Sequence, residues 1–461
     1  MNTPNFFSRL RLLLGRSLAI LITRLIRWSG RGGGTTLPGR ALLMVAPNAI
    51  KHLGNQLPAG AVLITATNGK TTTTAMAAEA LHKRYCLAYN RAGANLASGI
   101  ASSLVSKPSA QLGLLEVDEA AFPRISRELI PKFIVLGNLF RDQLDRHGEI
   151  ETIADTWRET LTSLPPETIV IANADDPRVM DIIGEREGVL TFGIDHLKSG
   201  ITQTSHASDA HTCFKCNNAL DYSTYYVGHL GNWKCTACET RRPTPDYQAR
   251  AIQEDGLSST CFQLSTPFDS ASVKLAIPGL YNIYNALAAS CLLHLLGFTT
   301  PEISKSLEKF RPAFGRLERI SIGDKRVLLL LSKNPAGANE IIRILARNHS
   351  ASTMMLALND EIADGRDTSW IWDVDFEQIM PLANNIIATG SRAEELALRF
   401  KYGGFSPENI VVEKSISKAL DKALSLTPPG SELPIIPTYT AMLTLQEILT
   451  ARGLTTPYWQ T

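Results

Sequence analysis

The sequence lacks the features of a membrane-spanning or nucleic-acid-binding protein. Its longest uncharged apolar run, near the N-terminus, is shorter than the roughly 20 residues that a spanning helix needs, and no small-residue cleavage site follows it. Lys and Arg number 46 against 44 Asp and Glu, so a net charge of +2 provides no overall attraction to nucleic acid. The length of 461 residues suits two or three domains. We therefore expect a globular protein without a nucleic-acid partner.

Cysteine is scarce, with seven residues in the chain, and Cys86, Cys261 and Cys291 stand alone in apolar contexts. This usage suits a reducing compartment, so we predict a cytoplasmic protein. None of the three follows a strand-to-helix elbow with a histidine partner in view, which a cysteine nucleophile would need.

The other four cysteines form two C-x2-C pairs that are 18 residues apart. This spacing is typical of a tetrahedral Zn²⁺ site with four thiolates, which has no open position for a substrate and is therefore structural. Two redox pairs are the alternative interpretation, and His211 and His229 are interpreted as bystanders. The predicted zinc ligands are Cys213, Cys216, Cys235 and Cys238.

The N-terminal segment predicts a basic amphipathic helix. At about 100° per residue its arginines share one face, with leucine and isoleucine on the other. Such a helix can lie on an anionic membrane surface, which would make the protein peripheral to the inner face of the membrane. It can equally pack its leucine face on the domain behind it. The arginines are Arg9, Arg16, Arg24 and Arg27.

Apolar runs alternate with helical patterns along most of the chain, which predicts an α/β fold with parallel sheets. We predict a helix and a glycine-rich linker in residues 1–40 and a central nucleotide-binding domain in residues 41–315. A polar, Cys-rich insertion, the zinc ribbon, occupies residues 205–242. A C-terminal Rossmann-like α/β domain in residues 316–461 completes the chain.

The stretch "VLITATNGKTTTT" reads as a strand, a turn and a helix around Gly69, Lys70 and Thr71. In a phosphate loop, backbone N–H groups cradle phosphates, the lysine reaches the β and γ phosphates, and the hydroxyl holds Mg²⁺. Ala61 stands where the first glycine of the general pattern would be. The context of strand, turn and helix still favours a nucleotide site, because the helix N-terminus attracts anions.

"TATNGKTTT" resembles the loop of the Mur ligase family, ATP-dependent enzymes that join amino acids to peptidoglycan precursors and do not keep the leading glycine. Four further segments resemble that family in order. "LLEVDEAAF" maps the Mg²⁺-holding glutamate to Glu116, with Glu119 as the fallback. "NLFRDQLDRHGEIE" carries Gln143 where a histidine is usual. "PGLYNIYNALAA" maps the adenine-facing residues to Asn282 and Asn285, and "FGRLE" sends Arg316 to the phosphates. The resemblance implies ATP contacts from Thr67, Asn68, Gly69, Lys70, Thr71 and Thr72, with Mg²⁺ at Thr71 and Glu116.

Four further residues depart from the family pattern. Ala66 replaces a glycine of the loop. Trp157 and Arg158 occupy the neighbourhood of a modified lysine that many members use, and Leu330 stands where a ribose-binding aspartate is usual.

The Cys-rich insertion, "SKNPAGANE" and the acidic segment Leu358–Glu377 together resemble one branch of the family, the ligase subunits of lipid II isoglutaminyl synthase. The resemblance implies that ATP phosphorylates the α-carboxyl of D-glutamate in the lipid II stem peptide, and that ammonia then displaces the phosphate to give D-isoglutamine. A GatD-type glutaminase would supply the ammonia as a separate subunit.

In that branch an aspartate of the "DGRDTSW" segment is thought to complete the partner's Cys-His pair, which maps a catalytic role to Asp367, beside Lys70 and Glu116. Asp360 and Asp364 stay open as alternatives for the residue nearest the partner. A solvated acidic loop with Trp370 and Trp372 anchored in the core is the plainer interpretation.

Two other functions remain open on the sequence. A Mur-type amino-acid ligase would need an amino-acid pocket in the last domain and would work without a glutaminase. A non-catalytic scaffold would bind nucleotide and dock the glutaminase, although the intact Gly69, Lys70, Thr71 and Glu116 argue against it.

Overall fold

The structure is a computed structural model of the chain, and it describes seven ranges separated by short gaps. These ranges are residues 6–29, 35–90, 93–142, 150–195, 209–311, 316–348 and 352–455. Within them, no helix combines the length and apolarity that crossing a bilayer requires.

The larger sheet has nine strands in the order β11-β10-β9-β6-β5-β4-β1-β3-β2. It is parallel from β2 to β9 and becomes antiparallel over the last hairpin strands. The strands from the N-terminus are β1 (Ala61–Thr65), β2 (Leu87–Tyr89), β3 (Leu112–Glu116), β4 (Phe133–Leu136), β5 (Ile169–Asn173), β6 (Val189–Ile194), β7 (Leu220–Val227), β8 (Leu230–Cys235), β9 (Tyr247–Asp255), β10 (Ser259–Ser265) and β11 (Ser270–Leu275).

Helices cover both faces of this sheet. Side chains alternate along a strand, so Val62 and Ile64 of β1 belong to one apolar core and Ala61 and Leu63 to the other. The helices are α1 (Phe6–Ser29), α2 (Leu37–Val45), α3 (Ala49–Gly54), α4 (Lys70–Leu81), α5 (Ala97–Ser106), α6 (Phe122–Leu129), α7 (Ile150–Ser163), α8 (Pro177–Ile183), α9 (Leu280–Leu295) and α10 (Thr300–Lys309).

A second, six-stranded sheet follows in the order β12-β13-β17-β14-β15-β16, and all of its neighbours are parallel except β12 and β13. Its strands are β12 (Arg316–Ile322), β13 (Lys325–Leu330), β14 (Thr353–Ala357), β15 (Asn385–Thr389), β16 (Ile410–Val412) and β17 (Glu432–Pro437). Its helices are α11 (Pro335–Asn348), α12 (Ala393–Tyr402), α13 (Ile416–Leu426) and α14 (Tyr439–Ala451), with short 3-10 turns at Ser369–Asp373, Phe376–Gln378, Met380–Leu382 and Pro407–Asn409.

The hairpin strands β7 and β8 lie between β6 and β9 in the sequence and form a separate two-stranded sheet. In space, β6 and β9 are neighbours in the large sheet. Trp233 of β8 is fully buried, and its indole N–H donates to the carbonyl of Ala174 at 3.2 Å. The hairpin is therefore anchored on the larger sheet.

The N-terminal helix α1 rests on α2 through small residues. Ala19 is fully buried, and a Cβ at Gly15 would lie 2.9 Å from the Leu42 side chain, so the two helices approach closely there. Leu14 and Leu21 on the outer side are 57% and 54% exposed. The leucine stripe that includes Leu14 and Leu21 therefore does not pack on the domain behind it, and Gly15, Ala19 and the partly buried Leu12 make that contact.

Candidate functional site

The turn between β1 and α4 has the geometry of a phosphate loop. Gly69 has φ +91°, and a Cβ there would lie 2.0 Å from Asn285 Oδ1, so only glycine fits. Asn138 fastens the turn: its carbonyl accepts from the N–H of Thr67 (2.9 Å), and its side chain accepts from the N–H of Asn68 (2.9 Å) and donates to the Asn68 carbonyl (3.0 Å). The N-terminus of α4 is thus held open toward an anion.

Lys70 is buried at the first position of α4 and makes an ion pair with Glu119, at 2.8 Å between Nζ and Oε2. Its ammonium also donates to the carbonyl of Ala66. Burial by itself would raise the pKa of Glu119, but the charges of Lys70 and Lys333 outweigh it and hold that pKa below its usual value. A carboxylate three residues after β3 therefore holds the lysine that is predicted to bind phosphate.

Glu116, the last residue of β3, is buried beside the same loop. Asn90 brackets its backbone, accepting from the Glu116 N–H at 2.9 Å and donating to its carbonyl at 2.7 Å. Asn95 donates to its carboxylate at 3.4 Å. A Cβ on Gly93, two residues before Asn95, would lie 3.7 Å from Thr71 Oγ1, so the loop from β2 to α5 adjoins both Thr71 and Glu116. A hydroxyl and a carboxylate are the oxygen ligands that Mg²⁺ prefers.

Asn285 of α9 lies directly against the phosphate loop, and Asn282 lies behind it. Asn285 accepts from the Thr73 hydroxyl at 3.1 Å and donates to Asn282 at 3.3 Å, while Asn282 donates to the Pro278 carbonyl at 2.7 Å. Asn285 also lines a small pocket together with Lys70. The first turns of α4 and α9 therefore form the two sides of one polar site, and Thr72 is buried in the first of them.

The loop after β13 reaches this site from the second sheet. Asn334 donates to Asn68 Oδ1 at 2.9 Å and accepts from Asn68 Nδ2 at 3.3 Å. The same Asn334 side chain accepts the Gly337 N–H at 2.9 Å and so fixes the start of α11. Next to it, Lys333 makes an ion pair with Asp142 at 2.7 Å. Lys70, which follows β1 of the larger sheet, and Lys333, which follows β13 of the second sheet, thus both interact electrostatically with Glu119.

The positions that depart from the family pattern have definite places. Trp157 is fully buried, and its indole N–H donates to the carbonyl of Glu119 at 3.0 Å. Arg158 points elsewhere, to Asp155 and Asp181. Leu330 is buried at the end of β13. Gln143 and the side chain of Arg316 lie outside the described residues.

The four paired cysteines converge at the base of the hairpin β7–β8, where their sulfur atoms all lie within 4.8 Å of one another. Cys235 Sγ accepts the N–H groups of Ala237 (3.3 Å) and Cys238 (3.4 Å), as expected for a sulfur that carries negative charge in a metal knuckle. His211 and His229 are outside the cluster; His229 is buried 3.3 Å from Asp176. The cysteine set fits a thiolate-bound metal.

The acidic segment after β14 distributes its aspartates unequally. Asp360 is paired with Arg392 at 2.7 Å, and Asp364 accepts from both the N–H and the hydroxyl of Thr440. Asp367 is exposed and accepts one N–H from Ser369 at 2.8 Å, which lowers its pKa. Of the three, Asp367 is the carboxylate presented at the surface. The plainer interpretation, with both tryptophans in the core, is wrong for Trp372, which is 52% exposed.

Sequence reasoning assigned no role to Lys333 or Asn334. Both lie in "SKNPAGANE", which the branch resemblance had singled out only as a segment. Asn138 is the first residue of "NLFRDQLDRHGEIE", and its hydrogen bonds to the phosphate loop were not predicted from the sequence.

Two family models match the chain. The Mur ligase middle domain matches residues 64–232, and the MurT ligase C-terminal model matches residues 331–442. A lipid II isoglutaminyl synthase subunit MurT from Streptococcus pneumoniae is 34% identical over 98% of this chain and 98% of its own length. The chain belongs to the MurT family. A MurT subunit from Staphylococcus aureus is 32% identical over 94% of this chain and 97% of its own length.

Solved structures agree on the fold. A pseudomurein peptide ligase type C from Methanothermus fervidus superposes with a TM-score of 0.70 at 22% identity, covering 87% of this chain and 80% of that one. MurF from Acinetobacter baumannii superposes with a TM-score of 0.65 at 18% identity, over 90% and 80%. The Mur-ligase-like α/β fold and the family resemblance predicted from the motifs are thus confirmed, and this MurT chain is a ligase of the Mur type.

Proposed function

We propose that this MurT chain is the ligase subunit of a two-subunit amidotransferase that converts the α-carboxyl of D-glutamate in the lipid II stem peptide to the amide, using ATP and ammonia. The observation that carries the proposal is the meeting of the phosphate loop with the MurT-type C-terminal domain at Asn68 and Asn334. Closure of two domains can bring ATP and acceptor together, and this contact would join the two domains beside the phosphates.

The phosphate loop supplies the groups that such a reaction needs. Lys70 would exchange Glu119 for the β and γ phosphates, and the N–H groups at the start of α4 would hold the remaining oxygens. Thr71 and Glu116 would hold Mg²⁺, which would neutralise charge on the phosphates. Asn282 and Asn285 would face the adenine, and Arg316 would reach the γ-phosphate. Because Asn285 packs on Gly69, base and phosphate recognition share one surface.

The reaction has two steps. A carboxylate oxygen attacks the γ-phosphorus, the bond to the β-phosphate oxygen breaks, and ADP leaves with its electron pair. Ammonia then attacks the acyl carbon, the C–O bond to phosphate breaks, and ammonia loses a proton as the amide forms. Negative charge develops on phosphate in both steps, where Lys70 and Lys333 converge.

Ammonia would come from a GatD-type glutaminase. The lone cysteine of α9, Cys291, is buried, which raises its thiol pKa well above the usual value and leaves it without thiolate character. Asp367, exposed and fixed by Ser369, is available to orient a histidine of the partner. The four-cysteine cluster would hold Zn²⁺ in a structural role, as its closed thiolate set favours.

To test the proposal, the purified chain is supplied with ATP, Mg²⁺ and lipid II, and amide formation is measured by mass spectrometry. We expect turnover with ammonium alone, and turnover with glutamine only after the glutaminase is added. Turnover with an amino acid but not with ammonium would contradict the proposal and favour an amino-acid ligase. No ATP turnover with partner, substrate and glutamine all present would favour a non-catalytic scaffold.

A further inference from the structure

The outer face of α1 is a long apolar surface open to solvent. Its members recur at helical spacing over 24 residues, a length of about 36 Å. The residues of this face are Leu10 (44% exposed), Leu14 (57%), Leu21 (54%), Leu25 (52%) and Trp28 (88%). We call these five residues the α1 face. A monomeric globular protein rarely leaves so large an apolar surface without a partner.

The opposite side of α1 is already in use. Gly15 and Ala19 pack on α2 at close range, and the Ser8 hydroxyl lies 3.1 Å from His52 Nε2. The helix is thus already held on the domain by its other side. The leucines of the α1 face do not pack on that domain.

Charge around the α1 face has a single sign. Arg11 borders the face on one side and Arg24 on the other, and both are exposed. Seven arginines lie in residues 1–40, and the first acidic residue of the whole chain is Glu79. This pattern complements an anionic surface and disfavours pairing with a second copy, since two such faces would repel each other.

We propose that the α1 face binds an anionic lipid bilayer, with α1 lying in the plane of the interface. Leucines would enter the acyl boundary, Trp28 would sit at headgroup level, and Arg11 and Arg24 would reach lipid phosphates while their stems lie on the apolar surface. The same placement would bring the domain close to any precursor anchored in that membrane. The binding itself does not depend on the proposed amidation.

Vesicle flotation with the full chain tests this, without lipid II or ATP, so the result is separate from ligase activity. The variant Leu14→Gln/Leu21→Gln/Leu25→Gln removes apolar contact, and Leu398→Gln/Val412→Gln is the matched control, because those residues are 45% and 44% exposed on the other domain. We expect the chain to float with phosphatidylcholine vesicles that contain phosphatidylglycerol. The triple variant should lose at least about tenfold in partition, whereas the control stays within about twofold. Added salt should weaken the binding.

A second measurement covers the case in which the triple variant fails to fold. Trp28 emission should shift to shorter wavelength when anionic vesicles are added, and the shift should be missing in Trp28→Phe. Unchanged flotation of a folded triple variant, or no binding of the natural chain to anionic vesicles, would overturn the proposal. A change from dimer to monomer in the triple variant with unchanged vesicle binding would overturn it in favour of self-association.

Discussion

Asn68 and Asn334 exchange side-chain hydrogen bonds across 266 residues of sequence, at 2.9 and 3.3 Å. One belongs to the phosphate loop and the other begins the first helix after β13. Because each amide satisfies the other, the contact fixes the C-terminal domain against the site where phosphates would bind. We therefore infer that docking of the C-terminal domain and formation of the proposed nucleotide site are coupled.

Replacing Asn334 tests that coupling. Asn334→Ala removes both bonds to Asn68 and the bond to the Gly337 N–H. We expect kcat for amidation to fall roughly 10- to 100-fold, since lost hydrogen bonds of about 1–3 kcal/mol act on closure, with about 1 kcal/mol lost in the free energy of unfolding. Asn339→Ala on the same helix, which contacts Asp373 and Asp375, is the control for helix damage. Equal kcat losses in both variants would contradict a specific role for Asn334.

The Lys70–Glu119 ion pair makes a pH-dependent contribution to stability. The pKa of Glu119 is depressed in the folded chain, so its contribution is fully present above the usual value of 4.5 and is lost as pH falls through the depressed pKa. Glu119→Gln leaves a buried ammonium without its carboxylate and should lower the free energy of unfolding by roughly 3 kcal/mol at neutral pH.

Denaturant unfolding of both chains from about pH 7 to about pH 3 measures the difference. The two curves should converge below pH 4.5. The control Glu159→Gln, at an exposed position of α7, should not show this pH-dependent difference in the free energy of unfolding from the natural chain. A gap that stays constant to the lowest pH would show that the ion pair is not its source.

Metal removal should affect nucleotide binding as well as the hairpin. Arg242, just after the hairpin, pairs with buried Asp175, and Asp175 accepts from the Tyr284 hydroxyl of α9 at 2.6 Å, next to Asn285. We expect one Zn²⁺ per chain by elemental analysis, and Cys216→Ser should lose it, lower the melting temperature and raise the Kd for ATP. Cys261→Ser, outside the cluster, should retain metal and affinity. Full metal content in Cys216→Ser would refute the four-thiolate site.

Asp367→Asn should separate the two half-reactions. The exposed carboxylate accepts from the Ser369 N–H within the acidic segment and not from a residue that is proposed to hold ATP, so amidation with ammonium should persist. Glutamine hydrolysis by the complex should fall by about 100-fold or more, because a neutral amide orients a histidine poorly. Glu361→Gln, also exposed in the same segment, is the matched control. Undiminished glutamine hydrolysis with Asp367→Asn would rule out a triad shared between subunits.

Much of the candidate site could be predicted from local sequence. The strand, glycine turn and helix around Lys70 could be predicted because apolar period, Gly69 and the helix start lie within a dozen residues, and the cysteine cluster followed from spacing alone. The partner of Lys70 could not be predicted with the same certainty. Glu116 ends β3 and Glu119 lies three residues further on, and only the turn after β3 places Glu119 on the lysine.

Contacts between distant segments were beyond sequence reasoning. Nothing local in "SKNPAG" indicates that Asn334 meets Asn68 or that Lys333 approaches Glu119, because both depend on how two sheets pack. The sequence left two alternatives for the packing of α1 for a related reason. Periodicity located the leucine stripe, but close approach to α2 favoured Gly15 and Ala19 instead.

In the proposed reaction, phosphorylation activates a carboxylate before ammonia displaces the phosphate. The decisive measurement uses lipid II whose D-glutamate α-carboxyl carries heavy oxygen and that this chain amidates with ATP and ammonium. We expect one labelled oxygen per amide formed to appear in inorganic phosphate. Amide formation with no label in the phosphate would show that no acyl phosphate forms.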